Sequence, residues 1–304
     1  MTNETAVTFY DLIDSWVNHG IEDFTEGIYQ GNSDRDYLEA QRLQHDYLIN
    51  QLNLNSGDRI LDVGCGNGTL LARARERILL GKGITISPIQ VQRCLRKGLD
   101  VSLKDYRDAT QNNMGRFQGI VANGSLEHFV HPLDEVHGKQ NEIYREMFKT
   151  FKDLLDSEGK LVTTAIHFNR VPQAKDVLTN PLLHKWGSDE MHYSFVLGNL
   201  GCYYPLKGQL EKCAEGLFSL EREVDGTDDY RITSEYWLNA LWPSCLTSAP
   251  FWKSLLVKTT QHPVHSTSSL FQYLVTQSWN WQFRPDENGE TPTHLLRQTW
   301  KCVD

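Results

Sequence analysis

The sequence predicts an α/β fold, a mostly parallel sheet with helices on both faces, preceded by N-terminal helices and followed by a C-terminal cap. Three observations predict it. Short apolar runs alternate with helical stretches over 58–167, the signature of a parallel sheet whose connections cross over its faces. The first run ends in a glycine-rich turn, Asp62-Val63-Gly64-Cys65-Gly66-Asn67-Gly68. The 304 residues, 39% hydrophobic and 23% charged, are enough for one full core with a substantial cap.

Residues 1–50 are predicted to be mainly helical, with a turn-rich break at Gly27, Gly31 and Asn32-Ser33-Asp34. The second of these helices, over 36–53, carries Leu38, Leu43, Tyr47, Leu48 and Leu52 along one side. Arg59-Ile60-Leu61-Asp62-Val63 is a short apolar run that predicts a buried strand, and a helix over 70–78 follows the glycine turn. Gly83-Ile84-Thr85-Ile86-Ser87 predicts the second strand. Ser87-Pro88 opens the next helix, because proline in a first turn leaves no N–H unpaired. Strands are predicted at 101–103, 118–122 and 159–166, the last after a long helix over 138–156. Beyond 170 the pattern loosens. It suggests helices over 230–242 and 249–260, then a hairpin-like pair around 269–284 and 294–303 joined by the turn at 285–289.

The organisation expected is an N-terminal helical segment (1–57) covering the site, a core (58–170), and a cap with the final sheet strands (171–304), all one globular unit. The formal net charge of −9 and the lack of a clustered Lys/Arg patch argue against a nucleic-acid partner. The six cysteines form no C-x-x-C pair. His184, His192, His262 and His265 have no ligand-like spacing, so no metal is expected. The start MTNETAVTFY lacks a signal-peptide pattern, and no apolar run reaches the ~18 residues a membrane span requires. A cytoplasmic location is the expectation, and assembly into a homo-oligomer is left open.

Gly64, Gly66 and Gly68 are spaced two and two after a strand and before a helix, with Asp62 ahead of them. A dinucleotide site would show G-x-G-x-x-G to seat a pyrophosphate on the helix. A carboxylate beside a glycine turn instead suits a ligand with an ammonium group and no phosphate. S-adenosylmethionine, a sulfonium amino acid, has that chemistry, and D-x-G-x-G-x-G resembles motif I of class I methyltransferases.

Further residues resemble the cyclopropane-fatty-acid synthase family of those enzymes. They are Gly83-Ile84-Thr85-Ile86-Ser87 with Gln90, Asp105-Tyr106-Arg107-Asp108, and Gly124-Ser125-Leu126-Glu127-His128-Phe129. Tyr10-Asp11, Tyr29 and Leu38-Glu39-Ala40-Gln41 resemble its upstream segments, and Asp229-Tyr230-Arg231-Ile232-Thr233 with Trp237 resembles a downstream one. The resemblance covers nearly the whole chain. It implies a Rossmann-like class I methyltransferase fold, S-adenosylmethionine as cofactor, and a lipid or small-molecule acceptor.

By position, the resemblance implies cofactor contacts from Asp62, Gly64, Cys65, Gly66, Thr85, Ile86, Ser87, Gln90, Asp105, Tyr106, Arg107 and Asn123. It implies catalytic roles for Glu127, His128 and Tyr230, and acceptor contacts from Tyr29, His167 and Trp237. Two departures stand out. The family's bicarbonate-holding cysteine falls at Gly27 when Tyr29 is aligned, and its strand-five histidine falls at Thr164, with His167 three residues on. Simple methyl transfer, to an alkene carbon or to an amine nitrogen, is therefore expected over ring closure, with Glu127 as charge stabiliser and base.

Overall fold

The computed structural model describes residues 5, 7–10, 21 and 23–303. Asp11 lies outside the described residues. Residues 7–10 are helical, and an irregular segment over 23–36 leads into helix α1 (Tyr37–Leu52), whose N-cap Asp36 accepts from the Glu39 amide at 3.0 Å.

The core follows the predicted alternation: β1 (Arg59–Val63), α2 (Thr69–Glu76), β2 (Leu80–Thr85), α3 (Pro88–Arg96), β3 (Asp100–Leu103) and β4 (Phe117–Asn123). Ser87 caps α3 and Pro88 occupies its first turn, as the sequence implies. Helix α4 (Gln140–Leu154) buries Tyr144, Met147, Phe148, Phe151 and Leu154, a three-and-four spacing that lays one face on the sheet. Strand β5 (Leu155–Phe168) begins at the residue after it.

The cap contains α5 (Asp189–Leu200), β6 (Phe218–Asp225), α6 (Thr227–Thr247), α7 (Ala249–Gln261) and α8 (Pro263–Leu274), and β7 (Thr293–Cys302) closes the chain. The seven strands run in the order β3-β2-β1-β4-β5-β7-β6. Strands β1 to β5 are parallel, while β7 is antiparallel to both β5 and β6. The order reverses between β1 and β4, and in such sheets ligands bind off the carboxyl ends of strands at the reversal.

The end of the chain corrects the hairpin expectation. Residues 269–274 belong to helix α8 and 278–281 to a short helix, so β7 pairs instead with β6. The run Leu270-Phe271 to Val275 has the composition of a strand. Pro263 nevertheless starts a helix there, and Ser266, Ser269, Gln272 and Tyr273 form its buried face. Strand β6 lies at the sheet edge with Glu221, Arg222 and Glu223 exposed or partly so, and this polarity hides it in the sequence.

Candidate active site

The loops after β1, β2, β3 and β4 enclose a cleft of about 1040 Å³. Gly64, Gly66 and Asn67 line it from the glycine turn, Thr85, Ile86, Ser87 and Gln90 from the β2–α3 loop, and Asp105, Tyr106 and Arg107 from the β3 loop. Gly64 sits at φ +80°, and a Cβ there would lie 2.5 Å from the Ser125 Cβ. Only glycine allows the β1 and β4 loops to approach this closely. Gly66, at φ +50°, has open space where its Cβ would point. Thr85 Oγ1 donates to Gln90 Oε1 at 2.7 Å, which orients the Gln90 amide on the first turn of α3. Asn123 Oδ1 accepts from Gln44 Nε2 and Thr164 Oγ1, tying α1 to the end of β4. Tyr106 stacks on Phe129 with ring centroids 4.0 Å apart.

A second, smaller cavity of about 30 Å³ adjoins the cleft, with room for about one or two waters. Aromatic rings from distant segments surround it, Phe9, Phe24, Tyr204, Tyr230, Trp237 and Trp279 among them. Tyr10, Phe24, Gly124 and His128 line both spaces and form the wall between them. Glu127 faces the inner cavity and is 4% exposed. Its Oε1 accepts from the Ile166 amide at 2.8 Å, while its Oε2 has no hydrogen-bond partner among the described residues. Burial pushes its carboxyl up to about 7, against the pull of two backbone N–H groups. His128, pushed down to about 4 by burial, stays neutral near pH 7, and its Nε2 lies 2.8 Å from the Tyr10 hydroxyl. Tyr230 also faces this cavity, its ring stacked on Phe283 at 4.4 Å, and Trp237 Nε1 donates to the Tyr37 hydroxyl.

The family model described as mycolic acid cyclopropane synthetase matches residues 10–248. The chain belongs to that family. It is 42% identical over 102 residues to a probable fatty acid methyltransferase of Pseudomonas putida, covering 31% of this chain and 25% of that protein. It is 29% identical over 245 residues to the cyclopropane-fatty-acyl-phospholipid synthase of Escherichia coli K12, covering 77% of this chain and 56% of that one. The chain thus spans a quarter to just over half the length of these curated relatives. The solved structure of the cyclopropane synthase MmaA2 from Mycobacterium tuberculosis superposes with a TM-score of 0.76 at 18% identity, over 99% of this chain and 98% of that one. The fold is the Rossmann-like fold of class I S-adenosylmethionine-dependent methyltransferases.

Against this family background, most residues singled out from the sequence meet at the two spaces. Gly64, Gly66, Thr85, Ile86, Ser87, Gln90, Asp105, Tyr106, Arg107 and Asn123 line the cleft, and Glu127, His128, Tyr230 and Trp237 line the inner cavity. Four do not reach either. Asp62 and Cys65, at the glycine turn, are buried and do not line the cleft. Tyr29 is buried, with its amide donating to Asp229 Oδ1 on α6. Successive strand residues point to opposite faces. Ile166 lines the inner cavity, so the fully buried His167 falls on the other side of β5, its Nδ1 2.9 Å from the Ala165 carbonyl oxygen. Sequence reasoning missed Asp23, Thr25, Lys104 and Phe129 at the cleft, and Phe9 and Tyr273 at the inner cavity. Phe129 alone had a signal, because it closes the motif containing Glu127.

The cleft suits the family's cofactor: an open cradle at Gly66, an amide at Gln90 and the stacked rings of Tyr106 and Phe129. Bicarbonate does not fit the positions that would hold it. The Thr164 hydroxyl already donates to Asn123 and accepts from the Gly124 amide at 2.9 Å. Gly27 is packed so closely that a Cβ there would lie 2.7 Å from the Ala40 Cβ, which leaves no room for a cysteine. Among the described residues no His, Cys, Asp and Glu group could hold a metal ion, and no helix is long and apolar enough to cross a membrane.

Proposed function

We propose that this chain is an S-adenosylmethionine-dependent methyltransferase that methylates an alkene carbon of a lipid or small-molecule acceptor, with Glu127 stabilising positive charge and taking the final proton. The observation that carries this reading is the unpaired Oε2 of Glu127, buried in an aromatic-walled cavity that shares a wall with the cleft. Bound in the cleft, S-adenosylmethionine supplies an electrophilic methyl group and leaves as a neutral thioether.

In this reading Gly64, Gly66, Thr85, Ser87 and Gln90 hold the methionine and ribose portions, and Tyr106 and Arg107 flank the adenine. Holding donor and acceptor in line accounts for most of the acceleration, since alignment alone contributes ~7–11 kcal/mol. The acceptor's π pair forms the new carbon–carbon bond and leaves a cation on the neighbouring carbon. The rings of Tyr230, Trp237 and Trp279 face that cation, each good ring contact supplying about 0.5–2 kcal/mol. A carboxyl titrating near 7 is poised to accept a proton at neutral pH. Glu127 therefore removes a proton from a carbon beside the cation, and the product is a methylated alkene. The lack of a bicarbonate cradle at Gly27 and Thr164 disfavours ring closure. The inner cavity admits only about one or two waters as it stands, so an acceptor enters by displacing side chains.

The test is product analysis with methyl-labelled S-adenosylmethionine and pools of unsaturated lipids and small amines. Label in a methyl branch on carbon is expected. Label on nitrogen, or in a cyclopropane ring, would overturn the alkene assignment. Glu127→Gln should keep cofactor affinity and lower turnover about a hundredfold or more, and unchanged turnover would remove Glu127 from the chemistry.

A further inference from the structure

Two carboxylates lie near the glycine turn, and they differ in access and charge. Asp62, on β1, is 3% exposed and does not line the cleft. Asp23, on the irregular N-terminal segment, has a side chain 18% exposed and lines the cleft with Thr25, Gly64 and Gly66. Its Oδ2 lies 3.2 Å from His45 Nε2 on α1 and accepts from the Thr69 hydroxyl at the start of α2. These contacts draw on three separate parts of the fold: the N-terminal segment, helix α1 and the helix that leaves the glycine turn.

Burial by itself would raise the Asp23 carboxyl. The hydrogen bonds from His45 and Thr69, with the charge of His45, outweigh it and hold the group below its ordinary value. Among the described residues, no hydrogen bond of that kind offsets the burial of Asp62. Burial pushes it well above the carboxylate range, and the negative charge of Asp23 adds to the rise. Of the two carboxylates beside the glycine turn, Asp23 is thus the one that lines the cleft and is held toward its ionised form, while burial disfavours ionisation of Asp62.

We propose that Asp23, and not Asp62, binds the α-ammonium group of the cofactor's amino-acid end. The inference rests on the reading that the cleft holds S-adenosylmethionine. His45 and Thr69 are positioning residues that hold the Asp23 carboxylate toward the glycine turn. Cofactor binding would thereby fasten the segment that also carries Phe24 into the wall between the two cavities.

Calorimetry with two probes tests this: S-adenosylhomocysteine, which carries the amino acid, and 5′-methylthioadenosine, which lacks it. Asp23→Asn should weaken S-adenosylhomocysteine about ten- to a hundredfold, the scale of a lost hydrogen bond to a charged group. It should leave methylthioadenosine unchanged. Asp62→Asn should leave the preference between the probes as in the parent protein. Equal losses for both probes in Asp23→Asn, or a selective loss in Asp62→Asn, would overturn the inference. If the parent protein binds neither probe, the cofactor assignment itself falls, which is a distinct result. Should Asp23→Asn fail to fold, Thr69→Val and His45→Gln keep the carboxylate and withdraw its support. They should show the same selective loss at smaller size, and unselective loss would again overturn it.

Discussion

The outer cleft takes most of its frame from loops that follow consecutive strands (the glycine turn, the start of α3 and the β3 loop), and the N-terminal segment closes it with Asp23, Phe24 and Thr25. The inner cavity has no such frame. It gathers side chains from residues as far apart as Phe9 and Trp279, and its one carboxylate is held by a backbone amide of β5. A site made of main chain is fixed once the sheet forms. A site made of rings depends on the N-terminal segment, the cap and the core packing together. Damage to the strand loops of the cleft should therefore be local, while damage to the inner cavity, and to the Asp23 side of the cleft, should follow from changes far from them.

The largest effect should come from the cleft. Gly66→Val puts a β-branched residue at φ +50°, where such residues are outliers, and directs it into open space in the cradle. Calorimetry should detect no S-adenosylhomocysteine binding, while the thermal transition stays cooperative. Wild-type affinity in this variant would move the cofactor site elsewhere and erase the distinction between the two spaces.

Next comes the strap that brings the N-terminal segment to both. Arg297 on β7 is 3% exposed and ion-paired with Glu26 at 2.8 Å and Asp229 at 2.9 Å, and it also donates to the Gly27 carbonyl. The Gly27 amide donates to Thr233 Oγ1 on α6. Arg297→Leu leaves the buried Glu26 without its counter-charge, which should cost about 3–5 kcal/mol of unfolding free energy in denaturant titration. Glu26→Gln added to that variant should restore part of the loss. Because the strap carries Asp23 to the cleft and Phe24 to the shared wall, cofactor affinity and turnover should fall together, unlike Gly66→Val, whose fold stays intact. A stability loss with unchanged affinity would show that the segment is not needed to complete the cleft.

The same contrast explains what the sequence could reveal. Strands β1 to β5 and the glycine turn carry their information locally, in apolar runs and residue spacing, and the structure has them where those patterns imply. Glu127, Tyr230 and Trp237 became legible only through resemblance, because nothing local distinguishes a buried carboxylate from one on a helix start. Phe9 and Tyr273 left no trace, since they sit on separate elements whose meeting with the cavity's other rings is a tertiary event. His167 shows the opposite failure. The resemblance brought it forward, but the two-residue period of β5 turns it away once Ile166 faces the cavity. Asp23 had no pattern at all, being one carboxylate in an irregular segment.

The smallest effect, and the most diagnostic of the inner cavity, is a pH dependence of stability. Glu127 is raised from an ordinary value of 4.5 to about 7 by burial. An unfolded chain releases that proton near 4.5, while the folded protein keeps it until about 7. Between those values the unfolded state binds fewer protons, so the Glu127 contribution is fully present below 4.5 and is lost as pH rises through 7. The loss should total about 3 kcal/mol, since each tenfold difference in proton affinity between the two states is worth roughly 1.4 kcal/mol. Wild-type data alone would blur this. Burial lowers His128 and His167 from 6.5 to about 4, so their unfolded states bind more protons over that range and stability rises with pH. The difference between wild type and Glu127→Gln isolates the carboxyl, because the histidines cancel. Measured by urea unfolding, that difference should fall between pH 4.5 and 7 and level off above. Turnover should rise over the upper part of the same window as the base ionises. A flat difference would mean that Glu127 is solvated in solution, and the buried, aromatic-walled setting on which its role rests would be lost with it.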